Sequence, residues 1–134
     1  MIQNKIVVRY QDGRISKGVT NNFSSNKEFF HLTSVNALPG TKPTKVSIQD
    51  LKAVFFVKTF GGNPEYKDKN QFNSVIIAMQ RKIKVTFKDG EVLMGTSYDY
   101  KPGSFGFFIF PADSQSNIER CFIISASTKE VSFI

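Results

Sequence analysis

The sequence contains a single cysteine, Cys121, and a single histidine, His31. One cysteine excludes an intrachain disulfide, and its apolar neighbours indicate a buried, unreactive thiol. A single histidine and a single cysteine are too few for a Cys/His zinc site, and the place of His31 between Phe30 and Leu32 favours a structural role within a strand over a nucleophile–histidine relay. We therefore expect no metal, no cofactor and no catalytic histidine.

Long apolar runs are also missing. No segment approaches the roughly 18 apolar residues that a membrane-spanning helix needs, and the N-terminus has no apolar core of signal-peptide length. These features predict a cytoplasmic protein with no membrane partner. Asp12 and Asp89 fit turns, and the segment 61–64 lacks the spacing of a phosphate-binding loop. We expect that the protein is not an enzyme and that it has no catalytic residues.

Aromatic and β-branched residues are plentiful, with 14 Phe and 4 Tyr, and this composition favours strands. The stretch KIVVRYQDGRISKG at 5–18 recurs as KIKVTFKDGEVLMG at 82–95, with six of fourteen positions identical. Each copy alternates apolar and polar residues and then reaches Asp-Gly, which is typical of a β-hairpin. We expect type I′ turns in which glycine takes the positive φ.

The two copies continue in parallel at an offset of 77 residues, although the third strand aligns only after a one-residue slip that sets Phe30 against Phe108. Five short strands with sharp bends in each copy predict a small closed barrel. The predicted fold is all-β: two tandem five-stranded small barrels, related by internal duplication and packed on each other. Beyond the hairpins, the predicted strands lie at 29–33, 44–48 and 52–57 and at 106–110, 120–125 and 129–134.

This pattern divides the chain into three parts. Residues 1–60 form the first unit, residues 61–81 a linker with an apolar lead-in strand, and residues 82–134 the second unit. The lead-in run at 72–79 fits a short helix almost as well as a strand. The first unit has nine Lys or Arg against three acidic residues, whereas the second has six of each sign. An acidic partner would therefore be attracted mainly by the first unit.

The motif V-x-Y/F-x-D-G-x-Φ-x-x-G, at 8–18 and 85–95, resembles the opening motif of Sm-like and related SH3-like small barrels. The tandem form resembles an uncharacterised bacterial family of such units, some of whose members accompany PilZ domains. The resemblance implies the barrel fold. It does not extend to the Asn and basic–Gly pair with which Sm proteins bind RNA, or to the PilZ ligand signature.

Three runs are apolar on successive residues, at 54–57, 75–79 and 107–110. One barrel wall buries only alternate residues, so continuous runs need burial on both faces. We expect the units to pack on each other or on a second copy of the chain. The predicted interface residues are Phe55, Phe56, Ile76, Phe107 and Phe108.

Basic residues accompany aromatic residues on the outer face of the first hairpin. Such a surface can hold a single strand, with cations along the phosphates and rings against the bases. The same cations also fit a strand that is merely kept soluble and protected from edge pairing. The candidate nucleic-acid contacts are Lys5, Arg9, Arg14, Lys17 and Phe23, with Phe29 nearby.

Two functions follow from these observations. The first is a non-enzymatic interaction module, a protein–protein scaffold or regulatory adaptor, whose partner is another protein or a second copy of the chain. The alternative is single-stranded nucleic-acid binding through the basic face of the first unit.

Overall fold

The computed structural model describes residues 3–61, 81–113 and 115–134 of the chain. Within these residues ten antiparallel strands form one sheet, with two short 3-10 helices and no α-helix. The all-β prediction is confirmed. No helix in the described part of the chain is long and apolar enough to cross a membrane. The predicted lead-in run at 72–79, which includes Ile76, lies outside the described residues.

The two halves of the chain have the same succession of elements. In each half the fifth strand pairs with the first, the first with the second, the second with the third and the third with the fourth. The first half contains β1 (Asn4–Tyr10), β2 (Ile15–Thr20), β3 (Phe29–Ser34), β4 (Thr44–Ser47), a 3-10 helix (Ile48–Asp50) and β5 (Leu51–Val57). The second contains β6 (Arg81–Phe87), β7 (Val92–Ser97), β8 (Gly106–Pro111), β9 (Ile118–Ile124), a 3-10 helix (Ser125–Ser127) and β10 (Thr128–Phe133).

The offset of 77 residues holds for the first, second, third and fifth strands and for the 3-10 helix, when the first residues are compared. The one-residue slip expected in the third strand is wrong. Phe30 and Leu32 are buried in β3, and the buried residues of β8 are Phe107 and Ile109. Burial on the inner face thus aligns Phe30 with Phe107, because a strand can bury only alternate residues against one core.

Both Asp-Gly hairpins are present, but the predicted turn type is wrong. The Gly13 amide donates to the Tyr10 carbonyl at 3.1 Å, so the central residues are Gln11-Asp12 and Gly13 follows at φ 96°. This is a three-residue loop with a left-handed glycine, not a two-residue type I′ turn. The second hairpin is built the same way, with Gly90 donating to the Phe87 carbonyl at 2.9 Å and a φ of 93°.

The glycines that end the repeated motif allow two strands to approach each other closely. A Cβ atom on Gly18 would clash with the Thr33 carbonyl, and one on Gly95 with the Phe110 carbonyl. The pairing of β2 with β3, and of β7 with β8, is limited to two residue pairs at this point. Only a residue without a side chain therefore fits at this point of each half.

Buried side chains form two hydrophobic cores. The first core consists of Ile6, Val8, Phe30, Leu32, Val46, Ile48, Leu51, Val54, Phe56, Phe122 and Ile124. The second core consists of Ala53, Phe55, Val57, Ile83, Val85, Phe87, Phe107, Ile109, Cys121 and Ile123. The alternation predicted for β1 and β6 is confirmed, because Ile6, Val8, Ile83, Val85 and Phe87 are buried and Tyr10 packs half-buried against the first core.

Strand β5 belongs to both cores. All of its residues are buried, with Val54 and Phe56 in the first core and Phe55 and Val57 in the second. Burial on both faces, expected for the run at 54–57, is therefore confirmed. The sheet continues from one half to the other here, because β5 pairs with β1 on one side and with β9 on the other.

Strand β9 alternates in the same way. Phe122 and Ile124 face the first core, whereas Cys121 and Ile123 face the second. Val54 pairs with Phe122 across the two strands. The hydrogen-bonded pair of β5 and β9 is thus a wall that separates two cores and contributes side chains to each.

The close approach at the two motif glycines gives the first prediction. We expect Gly18→Ala and Gly95→Ala each to lower the free energy of unfolding by about 2–3 kcal/mol, because the added methyl group meets a backbone carbonyl that cannot move freely. Urea denaturation would measure the change. The control is Gly61→Ala, since a Cβ there has no atom within 4 Å. Equal stability of all three variants would contradict the close approach of the strands at Gly18 and Gly95.

Candidate functional site

The two arginines predicted to contact nucleic acid form ion pairs within the chain. Arg9 Nη1 lies 2.9 Å from Glu91 Oε1, and Arg14 Nε lies 2.8 Å from Asp12 Oδ2. The Arg14 guanidinium also lies over the Tyr10 ring, 4.3 Å from its centroid. The hydrogen bonds that Arg14 donates, first from its backbone amide, lower the pKa of the Asp12 carboxyl.

The other three predicted contacts have different surroundings. Lys5 is exposed on β1, and Lys17 Nζ donates to the Phe60 carbonyl at 3.2 Å. Phe23 is half-buried and packs against the first core. Its ring lies edge-on to four rings, with centroid distances of 5.3 Å to Phe30, 5.4 Å to Phe56, 6.4 Å to Phe108 and 5.5 Å to Phe122. The Phe23 ring therefore packs against the first core.

The predicted interface residues that the structure describes lie inside the chain. Phe55 and Phe56 are buried on opposite faces of β5, and Phe107 is buried in the second core. Phe108 is half-buried against the first core. The structure brings these residues to the region of β5, β8 and β9, where the two halves meet.

A cluster of charges that sequence reasoning missed also joins the halves. The Lys52 side chain is only 6% exposed, and its Nζ lies 2.7 Å from Asp89 Oδ2 and 2.5 Å from Glu91 Oε1. Its ammonium group also lies 4.5 Å from the centroid of the Phe87 ring. Arg9 reaches the same Glu91 oxygen. Cations from β1 and β5 therefore hold the hairpin of β6 and β7.

The cluster has an electrostatic effect on its carboxylates. The hydrogen bond from Lys52 is the largest cause that lowers the pKa of Asp89, followed by the Glu91 amide, which donates to Asp89 Oδ1 at 3.0 Å. A signal for the cluster was present in the sequence. The hairpins match closely, yet Arg14 in the first is replaced by Glu91 in the second. The first hairpin thus neutralises its own aspartate, whereas the second needs a cation from elsewhere.

An apolar groove of about 330 Å³ lies beside this cluster. Arg9 and Glu91 contribute to its lining, and Phe55, Val57 and Phe87 are shared with the second core. The remaining lining residues are Val7, Val92, Leu93 and Ile118.

A second, more polar concavity opens on the side of β3 and β4, and we call it the aromatic cleft. Its volume is about 520 Å³. It is lined by Ser25, Asn26, Lys27, Glu28, Phe29, Lys45, Ser47, Gln49 and Phe105.

The local sequence explains how these side chains come together. In β3 the buried Phe30 turns its neighbours Phe29 and His31 outward, because successive residues of a strand face opposite sides. Phe29 pairs with Ser47, and His31 pairs with Lys45. Phe29, Lys45 and Ser47 therefore line the same cleft, and His31 lies beside it against Phe29.

Phe105 reaches the cleft from the second half, just before β8. Its carbonyl accepts a hydrogen bond of 2.9 Å from the Ser125 amide, which fixes the backbone at this point. Phe105 and Lys45 are 60 positions apart in the sequence, so no local pattern could have placed them together. The sequence pattern indicated Phe29 as a residue near the basic face, but it indicated neither Phe105 nor Lys45 as a site residue.

Two exposed rings line the cleft, and a cation lies over one of them. Phe29 is 40% exposed and Phe105 is 53% exposed. Lys45 Nζ lies 4.2 Å from the centroid of the Phe29 ring, and the His31 ring lies edge-on to Phe29 at 5.8 Å. The imidazole of His31 is itself exposed, and its Nδ1 lies 3.0 Å from Asn22 Nδ2. The cleft thus combines accessible aromatic surface with a positive charge.

The remaining candidate groups have structural surroundings. Cys121 is fully buried in the second core, as predicted, and burial raises the pKa of its thiol. Among residues 3–61, 81–113 and 115–134, no three His, Cys, Asp or Glu side chains are grouped so that they could hold a metal ion.

The charge cluster gives the second prediction. Lys52→Ala should lower the free energy of unfolding by about 2 kcal/mol, because a buried cation with two partners is lost while the carboxylates return to water. The matched control is Arg14→Ala in the other hairpin, which should cost below about 1 kcal/mol because that pair is exposed. Chemical denaturation of both variants provides the comparison. A larger loss from Arg14→Ala would show that the cluster does not hold the two halves.

The model of a family described as a family of unknown function (DUF6982) matches residues 2–134. No curated protein and no solved structure matches the chain.

Proposed function

Since the chain belongs to this family of unknown function, we propose from its own geometry that it is a non-enzymatic interaction module. It acts as a scaffold or adaptor that holds its partner in the aromatic cleft. The proposal retains the non-enzymatic interaction module expected from the sequence, leaves the class of partner open, and changes the surface that carries it.

The architecture proposed for this module is a pair of five-stranded SH3-like or Sm-like small barrels, related by internal duplication. The offset of 77 residues, the equal neighbour order of the strands and the two identical turns support the duplication. The wall of β5 and β9 supports the rigidity of the pair, since both cores include side chains from it. A rigid body of this kind presents its loops and clefts in fixed positions.

The exposure of Phe29 and Phe105 in one cleft is the observation that carries the proposal. Phenylalanine is among the residue types most often buried, and aromatic side chains dominate the energetics of interfaces. Phe133, the other large exposed phenylalanine in the described ranges, packs edge-on against Tyr100 at 5.6 Å and lies under the Arg81 guanidinium. Phe29 has comparable contacts with His31 and Lys45, so Phe105, at 53% exposure, is the ring of the cleft that is most open to solvent.

The alternative surface, at Lys5, Arg9, Arg14, Lys17 and Phe23, draws less support. Both arginines there are engaged in ion pairs, Lys17 donates to a backbone carbonyl, and Phe23 packs against the first core. A ligand on this face would have to compete with contacts that the chain already makes.

Two parallel selections on the immobilised protein test the proposed function. One uses a random peptide display library and the other a random single-stranded RNA pool, each counter-selected against the Phe29→Ala/Phe105→Ala double variant. We expect at least one pool to yield ligands that bind the native protein and lose binding to the double variant. Circular dichroism would confirm that this variant is folded. If neither pool yields a ligand that depends on the cleft, the proposed function is wrong.

A further inference from the structure

We propose that the ligand of the aromatic cleft is a single-stranded nucleic acid, whose bases stack on Phe105 and Phe29 and whose phosphates contact Lys45 and Lys27. This inference rests on the proposed function, because it names the class of partner for the same cleft. It assigns the binding to residues other than those that the sequence indicated.

The chemistry of the lining favours bases over apolar side chains. Only two of the nine lining residues are apolar, and both are phenylalanines with exposed rings. A peptide anchored by aliphatic side chains needs an apolar pocket that encloses them. A base needs a flat ring to stack on and polar groups around its edge. Ser25, Asn26 and Gln49 provide such groups within the same lining.

The charges are arranged for an anionic chain. Lys45 lies against the Phe29 ring, so a base stacked beside this ring brings its phosphate near the ammonium group. Lys27 is a second cation in the lining, and Glu28 is its one carboxylate. The surrounding half of the chain, residues 1–60, has a net charge of +6, from nine basic and three acidic residues. This field favours the approach of a polyanion.

The size of the cleft suits one or two nucleotides and not a folded domain. Its volume of about 520 Å³ falls in the usual range of small-ligand sites, roughly 300–1,000 Å³. Two exposed rings in one concavity allow two bases to be held at once. Because stacking accepts any base, we infer that binding has little sequence preference.

Fluorescence anisotropy with a 5′-fluorescein-labelled twelve-residue oligouridylate tests this inference on the full chain. At 50 mM KCl we expect micromolar binding, which weakens about tenfold at 200 mM KCl because two or three phosphate contacts are screened. Phe105→Ala and Phe29→Ala should each weaken binding at least about fivefold through the loss of one stacked base. Lys45→Gln should weaken binding and make it less dependent on salt.

Matched controls distinguish the cleft from a general effect of charge or aromatic surface. Tyr98→Ala removes an exposed aromatic ring that is not part of the cleft lining. The Tyr98 ring stacks on the Phe110 ring, with 6.0 Å between their centroids. Lys5→Gln removes an exposed cation of the first hairpin. We expect both to bind the oligonucleotide within about twofold of the native protein. Phe105→Leu, which keeps an apolar side chain without an aromatic ring, should lose as much affinity as Phe105→Ala.

Three results would overturn the inference. The first is the absence of binding at 50 mM KCl, and the second is binding that Lys5→Gln weakens and the cleft variants do not. The third is a selection in which only peptides depend on the cleft, and this result would leave the proposed function standing. Failure of both pools would instead remove the proposed function together with this inference.

Discussion

The fold depends on a single strand, β5, that contributes to two hydrophobic cores. Its alternate side chains enter opposite cores, and its neighbour β9 does the same. Truncation of a buried phenylalanine lowers the free energy of unfolding by about 3–5 kcal/mol. Phe56 therefore anchors β5 in the first core, and Phe55 anchors it in the second. Neither half can complete its core without residues from this wall. The charge cluster around Lys52 lies next to the wall and holds the β6–β7 hairpin against it.

The two edge strands of the sheet are more polar than the β5–β9 pair at which the two halves meet. In the proposed duplication, β10 and β4 correspond to β5 and β9, and these two strands end the sheet among the described residues. Phe55 corresponds by the offset of 77 to Ser132, and Phe122 corresponds to Lys45. An apolar strand edge invites pairing with another chain, whereas charged and polar residues discourage it. The β5–β9 pair, where the two halves meet, is thus apolar, whereas the corresponding positions of the edge strands β10 and β4 are polar. Lys45 of β4 also lines the aromatic cleft.

The sequence was most informative where a pattern is local. Period-two alternation located the strands, and the continuous run at 54–57 indicated burial on both faces. The turn type was misjudged because Asp-Gly fits both a type I′ turn and a three-residue loop. The polar neighbours of Phe23 indicated an exposed ring, whereas its half-buried ring packs against four others. The Lys52 cluster and the aromatic cleft unite residues far apart in the chain, and only the fold brings them together.

Native-state hydrogen exchange, followed residue by residue by NMR, tests most directly whether the β5–β9 wall makes the two halves one unit. If the wall unites the halves, the amides of β1, β5, β6 and β9 exchange through the same global opening, with one free energy equal to that from denaturant unfolding. Phe56→Ala is then expected to lower this free energy equally in both halves. If instead β6 and β7 open at a lower free energy while β1 and β2 stay protected, the halves are independent and the shared wall does not unite them.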